Sequence, residues 1–567
     1  MTRPTPTAGR MSRRVVTALA VLSLAGGGLT ACTPGSDVSD GETSGCGDMA
    51  DYGTFAEGTT VTVGTTFSPV EAARFDASVA RFEECTGIDV VQDASDHLEA
   101  SLRAATASAN GTASADGTAD PAAPEGAELP DLAVVPQTGL IEELVDSDLL
   151  HPMPDSVGAN LELGWERSWL DVGTVDGTLY AAPLMASVKS FVWYSPTAFK
   201  KAGYKVPSSW DELVALTDEI AADHPDGEVT PWCLGISDGE TTGWAATDWL
   251  EDAMLATQGT GAYDAWAGHT VPLNTGPAVE ILDELDAMLL ADGHVAGGRA
   301  GAAATTVEQA GEQLVSGQCL MLHASSTYET VLPVGTIVAD AEGKGGVTVT
   351  ATPSGPVAEG EAPAGDEAGD AGQEAGEAGE AGAEAPAEPA GGPAAEVPAE
   401  AAGDAAAEAP AEPAGDAVGA AGDVASPEAT AAPGTVVSAF LLPSSEDRER
   451  APLLVGGDYL VALEDSLVIE TVMQFLTSAE WAQTRVELGG MATANRGVEV
   501  SDVSSDVAGR ATELLQSRQT VIRMDASDSM PSSVGTDALW SALTQWTAGE
   551  LSGKEALTQA EAAWPKN

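Results

Sequence analysis

Thr230–Asp252, TPWCLGISDGETTGWAATDWLED, packs three tryptophans (Trp232, Trp244, Trp249), a cysteine and a glycine-punctuated turn into one short segment of a chain only 5% aromatic. A possible strand at its start gives way to a turn and then to a helical pattern, in which Trp244 and Asp248 are four residues apart and share a face. Flat apolar rings beside Asp238, Thr247 and Asp248 suit a pyranose: rings cover its C–H faces, and carboxylates accept hydrogen bonds from its hydroxyls. The same residues would also make a hydrophobic core corner with a surface turn. The rest of the chain has to separate the two readings.

Upstream, strand and helix patterns alternate. Thr60–Thr66 alternates Val61 and Val63 with threonines, and Val70–Glu84 places Ala73, Val79 and Phe82 near helical spacing. Val90–Val91 and Leu132–Val135 read as further strands, with a helix from about Leu98 between them, so the class is α/β. Downstream, Ser209-Trp-Asp-Glu212 has capping-box spacing ahead of Leu213, Leu216 and Ile220. Helical patterns recur at Pro277–Leu290, Val307–Val315, Ser466–Leu476, Trp481–Leu488 and Thr536–Trp546.

The N-terminus bears on the compartment. Arg10, Arg13 and Arg14 precede the apolar run Val15–Leu24, too short for a permanent membrane span. Leu29-Thr-Ala-Cys32 resembles a bacterial lipobox, which predicts a signal peptide over 1–31 and lipid attachment at Cys32. The protein would then sit, lipid-anchored, on the extracellular face of the cell membrane. Residues 32–57 read as a polar tether. Four cysteines remain, Cys46, Cys85, Cys233 and Cys319, and they allow three connectivities; Cys233–Cys319 with Cys46–Cys85 is the favoured one. No Cys-x-x-Cys occurs and the six histidines are scattered, so no metal site and no cofactor are expected.

Acidic residues outnumber basic ones by 88 to 23, for a net charge of −65. Nucleic acid is thereby excluded as a partner, because phosphate binding needs clustered Lys and Arg. The stretch 351–434 holds 18 of the acidic residues, a minority, so the globular surface is acidic too and repels anionic membranes. Two low-complexity inserts interrupt the chain, Ser108–Glu128 and about 341–433. The second repeats Ala-Glu-Ala-Gly and Glu-Pro-Ala units without an aromatic residue, and it reads as disordered.

The order of motifs carries a family resemblance. Leu129-Pro-Asp-Leu-Ala-Val-Val-Pro-Gln137, Gly177-Thr-Leu-Tyr-Ala-Ala-Pro183, Val188-Lys-Ser-Phe-Val-Trp-Tyr194, Ser209-Trp-Asp-Glu-Leu213, Pro231-Trp-Cys-Leu-Gly-Ile236 and Thr242-Gly-Trp-Ala-Ala-Thr-Asp-Trp249 appear in sequence. Gly456-Gly-Asp458, Met524-Asp-Ala-Ser-Asp-Ser-Met-Pro531 and Ala562-Ala-Trp-Pro565 follow. The series resembles the extracellular solute-binding proteins of ABC sugar importers, in particular the alpha-glucoside-binding group, distant relatives of maltose-binding protein. The resemblance implies a two-lobed, type II periplasmic-binding-protein-like fold with hinge crossings near Ala182–Val188, Val455–Tyr459 and 500–510. Lobe 1 would hold 58–184 and 459–505; lobe 2 would hold 185–457, containing the 341–433 insert, and 506–567. A sugar, an alpha-glucoside or oligosaccharide, would bind between the lobes and be delivered to the transmembrane subunits of an ABC permease.

The expected ligand residues are Gln137, Lys189, Trp193, Trp232, Trp244, Asp248, Asp458 and Asp528. Gln137 ends a strand, and Lys189 sits among apolar residues where its ammonium needs a partner. Asp458 follows two glycines that permit close approach of backbone to ligand. Of Asp525 and Asp528, one would bind hydroxyls and the other cap a helix. No residue is assigned a catalytic role. The competing readings are a secreted hydrolase and a cell-surface interaction lipoprotein without a small ligand. An esterase would use Gly235-Ile-Ser-Asp-Gly239, with Ser237 as nucleophile and His269, His294 or His323 as base; a glycosidase would use two carboxylates, and no pair stands out.

Overall fold

The computed structural model describes residues 46–109, 129–350, 435–445 and 452–566. The expected signal segment 1–31, Cys32, the first part of the tether, 110–128 of the first insert and 351–433 of the second lie outside the described residues.

From Tyr52 onward the chain folds around two six-stranded sheets. In the first, strands Thr59–Thr65, Ile88–Ala94 and Leu132–Val135 run parallel, with Val63 opposite Leu132. The long strand Leu453–Ala462 closes this sheet. One of its edges pairs with Leu132–Val135 at one end and Ile522–Met524 at the other, and its second edge pairs antiparallel with Ala181–Val188. The second sheet has the order Val347–Thr348, Ile337–Val338, Val436–Leu441, Phe191–Tyr194, Cys319–His323, Thr230–Trp232. Helices cover both sheets, as parallel and mixed sheets require.

Local sequence accounts for the elements that border the site. Helix Pro69–Thr86 starts at a full capping box, Ser68 with Glu71, and stops at Gly87 in the left-handed conformation. Helix Trp210–Asp223 is capped by Ser209, but the Glu212 carboxylate reaches back to Ser208 instead of Ser209, so the box is incomplete. Helix Trp244–Gln258 begins at Gly243, whose φ of 115° only glycine adopts readily, and a Cβ there would stand 2.5 Å from the Trp540 carbonyl oxygen.

Three expectations need correction. The tether does not reach to 57, because Tyr52 stacks edge-on against Phe82 and Phe475, and the Phe55 N–H donates to the Thr86 carbonyl. The second insert does not begin at 341. Left-handed Gly343, Gly345 and Gly346 turn the chain back, and Val347–Thr348 pairs with Ile337–Val338 while Val349 is buried. The Thr536–Trp546 helix opens with a π-helical stretch, Ser533–Leu539, before Trp540–Ala548 continues as α-helix.

Candidate functional site

A cavity of about 300 Å³ opens where the ends of the two sheets meet. Strand Leu132–Val135 delivers Pro136 and Gln137; strand Ala181–Val188 delivers Met185 and Ser187, with Lys189 just beyond it. The long strand contributes Gly456, Gly457 and Asp458, and helix Trp244–Gln258 presents Trp244 and Asp248 from consecutive turns. Asp528 comes from the short turn Ala526–Ser529. Six of the eight expected ligand residues therefore line one cavity: Gln137, Lys189, Trp244, Asp248, Asp458 and Asp528.

The other two stand elsewhere. Trp193 is fully buried in the second sheet, where its indole N–H donates to the Ser325 carbonyl. Trp232 is equally buried, donating to Thr217 Oγ1 and meeting Trp249 edge-to-face. Both are core residues, because strands covered by helices on their faces bury both rows of side chains. Thr247 also turns inward, bonded to the Trp244 carbonyl and to Ser527 Oγ.

Lys189 organises the cavity floor. Its Nζ lies 3.0 Å from Asp248 Oδ1, 2.6 Å from Asp525 Oδ2 and 3.0 Å from Asp528 Oδ2. An ammonium has three N–H donors, so these three carboxylates use all of them. Burial alone would pull the ammonium pKa down, but the three carboxylates outweigh it and hold the group well above the ordinary lysine value. Asp525 divides its oxygens between Lys189 and the turn: Oδ1 accepts from Ser527 Oγ and from the Asp528 N–H. Asp525 therefore caps the turn while Asp528 faces the cavity. Glu251, one helical turn below Asp248, accepts the Ala526 and Ser527 N–H groups and fixes the same segment from behind.

Burial raises three of the other carboxyls facing the cavity. Burial, reinforced by Asp525, pushes Asp528 up to about 7. Burial and Glu71 push Asp458 up to about 7, against the pull of Lys189 and Arg485. Burial holds Asp248 well above the usual carboxylate range despite Lys189, and its Oδ2 has no hydrogen-bond partner among the described residues. Asp458 likewise has no hydrogen bond or ion pair there. Its two preceding glycines have a structural reason as well: a Cβ at Gly456 would stand 2.8 Å from Lys189 Cε, and one at Gly457 would stand 2.9 Å from Trp169.

Trp244 is half-buried, and its N–H donates to Asp238 Oδ2 at 2.7 Å, which orients the ring beside the cavity. Phe67, Glu71 and Trp540 also line the space and were not anticipated. Phe67 precedes the capping box of helix Pro69–Thr86 and Glu71 is part of it, so a cap at the end of a first strand was a usable signal. Trp540 lies in a helix whose periodicity marks it only as core.

The disulfide Cys233–Cys319, Cα atoms 5.3 Å apart, staples the end of strand Thr230–Trp232 to its neighbour Cys319–His323. Cys46 and Cys85 are also in disulfide form. The esterase geometry is missing: Ser237 bridges to Thr306 through backbone, and the three histidines bond elsewhere. His269 meets Glu561, His294 meets the Met288 carbonyl, and His323 meets Asp252. Among the described residues no His, Cys, Asp and Glu cluster is arranged to hold a metal ion.

Comparison with known proteins gives a consistent result. Residues 68–482 match the family described as bacterial extracellular solute-binding protein. The osmoprotective compounds-binding protein GgtB of Synechocystis sp. is 25% identical over 87% of this chain and 89% of its own length. The alpha-glucosides-binding periplasmic protein AglE of Rhizobium meliloti is 34% identical over 50% of this chain and 59% of its own. Among solved structures, a chitin oligosaccharide binding protein superposes with a TM-score of 0.58 at 14% identity, over 89% of this chain and 97% of that one. The raffinose complex of the solute-binding protein RafE gives 0.54 at 14% identity, over 89% and 98%.

Proposed function

Since the chain belongs to the bacterial extracellular solute-binding protein family and is not an enzyme, we propose that its solute is a sugar of the alpha-glucoside or oligosaccharide class. The observation that carries this reading is a half-buried Trp244 ring in one cavity with Asp458, which makes no hydrogen bond among the described residues, and with the unbonded Oδ2 of Asp248. A sugar hydroxyl both donates and accepts. Carboxyls held near pH 7, such as Asp458 and Asp528, can answer in either sense. At about 300 Å³ the cavity lies at the small end of ligand sites, which favours one or two pyranose rings.

Closure follows from the connections between lobes. We place two crossings in the strand pair Ala181–Val188 and Leu453–Ala462, and move the third from the expected 500–510 to Ile522–Met524, because that strand returns to the first sheet beside Val455. Ligand contacts from both walls then stabilise the closed form over the open one. The closed protein would dock on an ABC permease, and the lipid anchor at Cys32 would keep it beside the membrane, with Cys46–Cys85 as the second disulfide.

A thermal-shift screen with maltose, trehalose and sucrose tests the reading. A solute at 100 times its dissociation constant adds about 2.7 kcal/mol of stability, a shift of several degrees. Silence from the whole panel would remove neutral alpha-glucosyl disaccharides as the solute.

A further inference from the structure

The charge of the cavity carries a second conclusion, which rests on the sugar reading. Six carboxyl side chains line it: Glu71, Asp96, Asp238, Asp248, Asp458 and Asp528. Among the described residues, Lys189 is the one cation in the lining, and its three N–H donors are taken by Asp248, Asp525 and Asp528. An anionic solute would therefore find no free cationic donor in the lining. Arg74 and Arg485 are not part of the lining; they interact electrostatically with Glu71, and their unbonded N–H groups, Arg74 Nε and Nη1 and Arg485 Nε, are buried out of the cavity.

Acceptors are in the opposite situation. Asp248 Oδ2 is buried in a residue only 1% exposed and accepts no hydrogen bond among the described residues, although the residue lines the cavity and its carboxyl lies against that of Asp525. Asp458 has no hydrogen-bond partner among the described residues. A buried acceptor without a donor is costly to the free protein, and a ligand N–H⁺ meeting it makes a charge-assisted bond about twice as strong as a neutral one. A phosphate or carboxylate on the solute would instead face like charge at close range in a partly desolvated space.

We propose that the cavity selects sugars by charge: those bearing a protonated amine bind most tightly, uncharged ones less tightly, and uronates and sugar phosphates are excluded. Selectivity of this kind is a difference of affinities with a built-in repulsive element. Asp458 is its principal determinant, because its carboxyl is the least committed to the protein.

Calorimetric titration of the full chain with two matched sets tests this: 6-amino-6-deoxytrehalose, trehalose and trehalose 6-phosphate, and glucosamine, glucose and glucuronate. The amine of the better-bound set should bind about tenfold more tightly than its neutral parent, and the matching anion should bind at least about tenfold more weakly. Asp458→Asn should lower the amine-to-neutral ratio. Asp96→Lys, a change at the exposed rim, should relax the exclusion of the anion without touching the fold. Equal binding of all three members of a set, or tighter binding of the anion, overturns charge selection while leaving the sugar reading intact. Binding by no member of either set overturns both.

Discussion

Lys189 shows how much one side chain can decide. Its ammonium is the shared partner of two buried carboxylates, Asp248 and Asp525, and of the half-buried Asp528, so removing it leaves charge with no counter-ion. Lys189→Met should destabilise the unliganded protein by about 3–5 kcal/mol, read from urea unfolding, because breaking a buried pair strands the other half. Asp458 makes a prediction with a defined sign. Its folded carboxyl is held up to about 7, against roughly 4 in an unfolded chain, so the folded state binds the proton more tightly. Its contribution is full below about pH 4 and is lost as pH rises through 7. Melting temperature should therefore fall less between pH 4 and 7.5 in Asp458→Asn than in the parent, with the Asp528 share still present. At this scale the sequence was readable wherever chemistry demanded a partner. An isolated lysine among apolar residues needed a partner, ligand hydroxyls or a carboxylate across the cleft, and of Asp525 and Asp528 one was expected to cap a helix and the other to face the ligand, without the sequence saying which. Trp193 and Trp232 were not readable, because a strand tryptophan that packs and one that binds look alike without knowledge of what covers the sheet.

Single elements were legible through their ends. Strand Leu132–Val135 follows from a short continuous apolar run, buried at all four positions, and the helix start at Ser209 from its cap; the caps at Ser68 and Ser466 were equally available signals. The start of helix Trp244–Gln258 depends on a tertiary contact that no local pattern announces: the Trp540 carbonyl presses on Gly243. Gly243→Ala forces a Cβ into that carbonyl at a φ of 115°, so it should cost about 1–3 kcal/mol of stability. It should also displace Trp244 and weaken sugar binding more than a surface Gly→Ala elsewhere, such as Gly261→Ala, where a Cβ meets open space. The hairpin Val347–Thr348 was missed for a related reason. Composition marks 341–350 as the edge of an acidic insert, while three left-handed glycines and an available strand partner hold it to the sheet.

For the whole molecule, the collinear motifs indicated a two-lobed fold from sequence, because their fixed order resembles that of the solute-binding family. Their three-dimensional linkage was less accessible. Glu329, buried beyond the second sheet, accepts the Gly490 N–H at 2.6 Å and Ser505 Oγ at 2.5 Å. Those bonds tie distant parts of the chain together near the cavity wall, and nothing in the sequence pairs them. Trp244 and Asp458 are likewise more than two hundred residues apart, yet they border the same space. The central claim is that this space holds a sugar against Trp244. Isothermal titration of the best sugar from the panel into the parent protein and into Trp244→Ala, both shown folded by circular dichroism, tests it most directly. We expect saturable one-to-one binding to the parent and a loss of about tenfold or more in the variant. Undiminished binding to a folded Trp244→Ala protein would contradict the account.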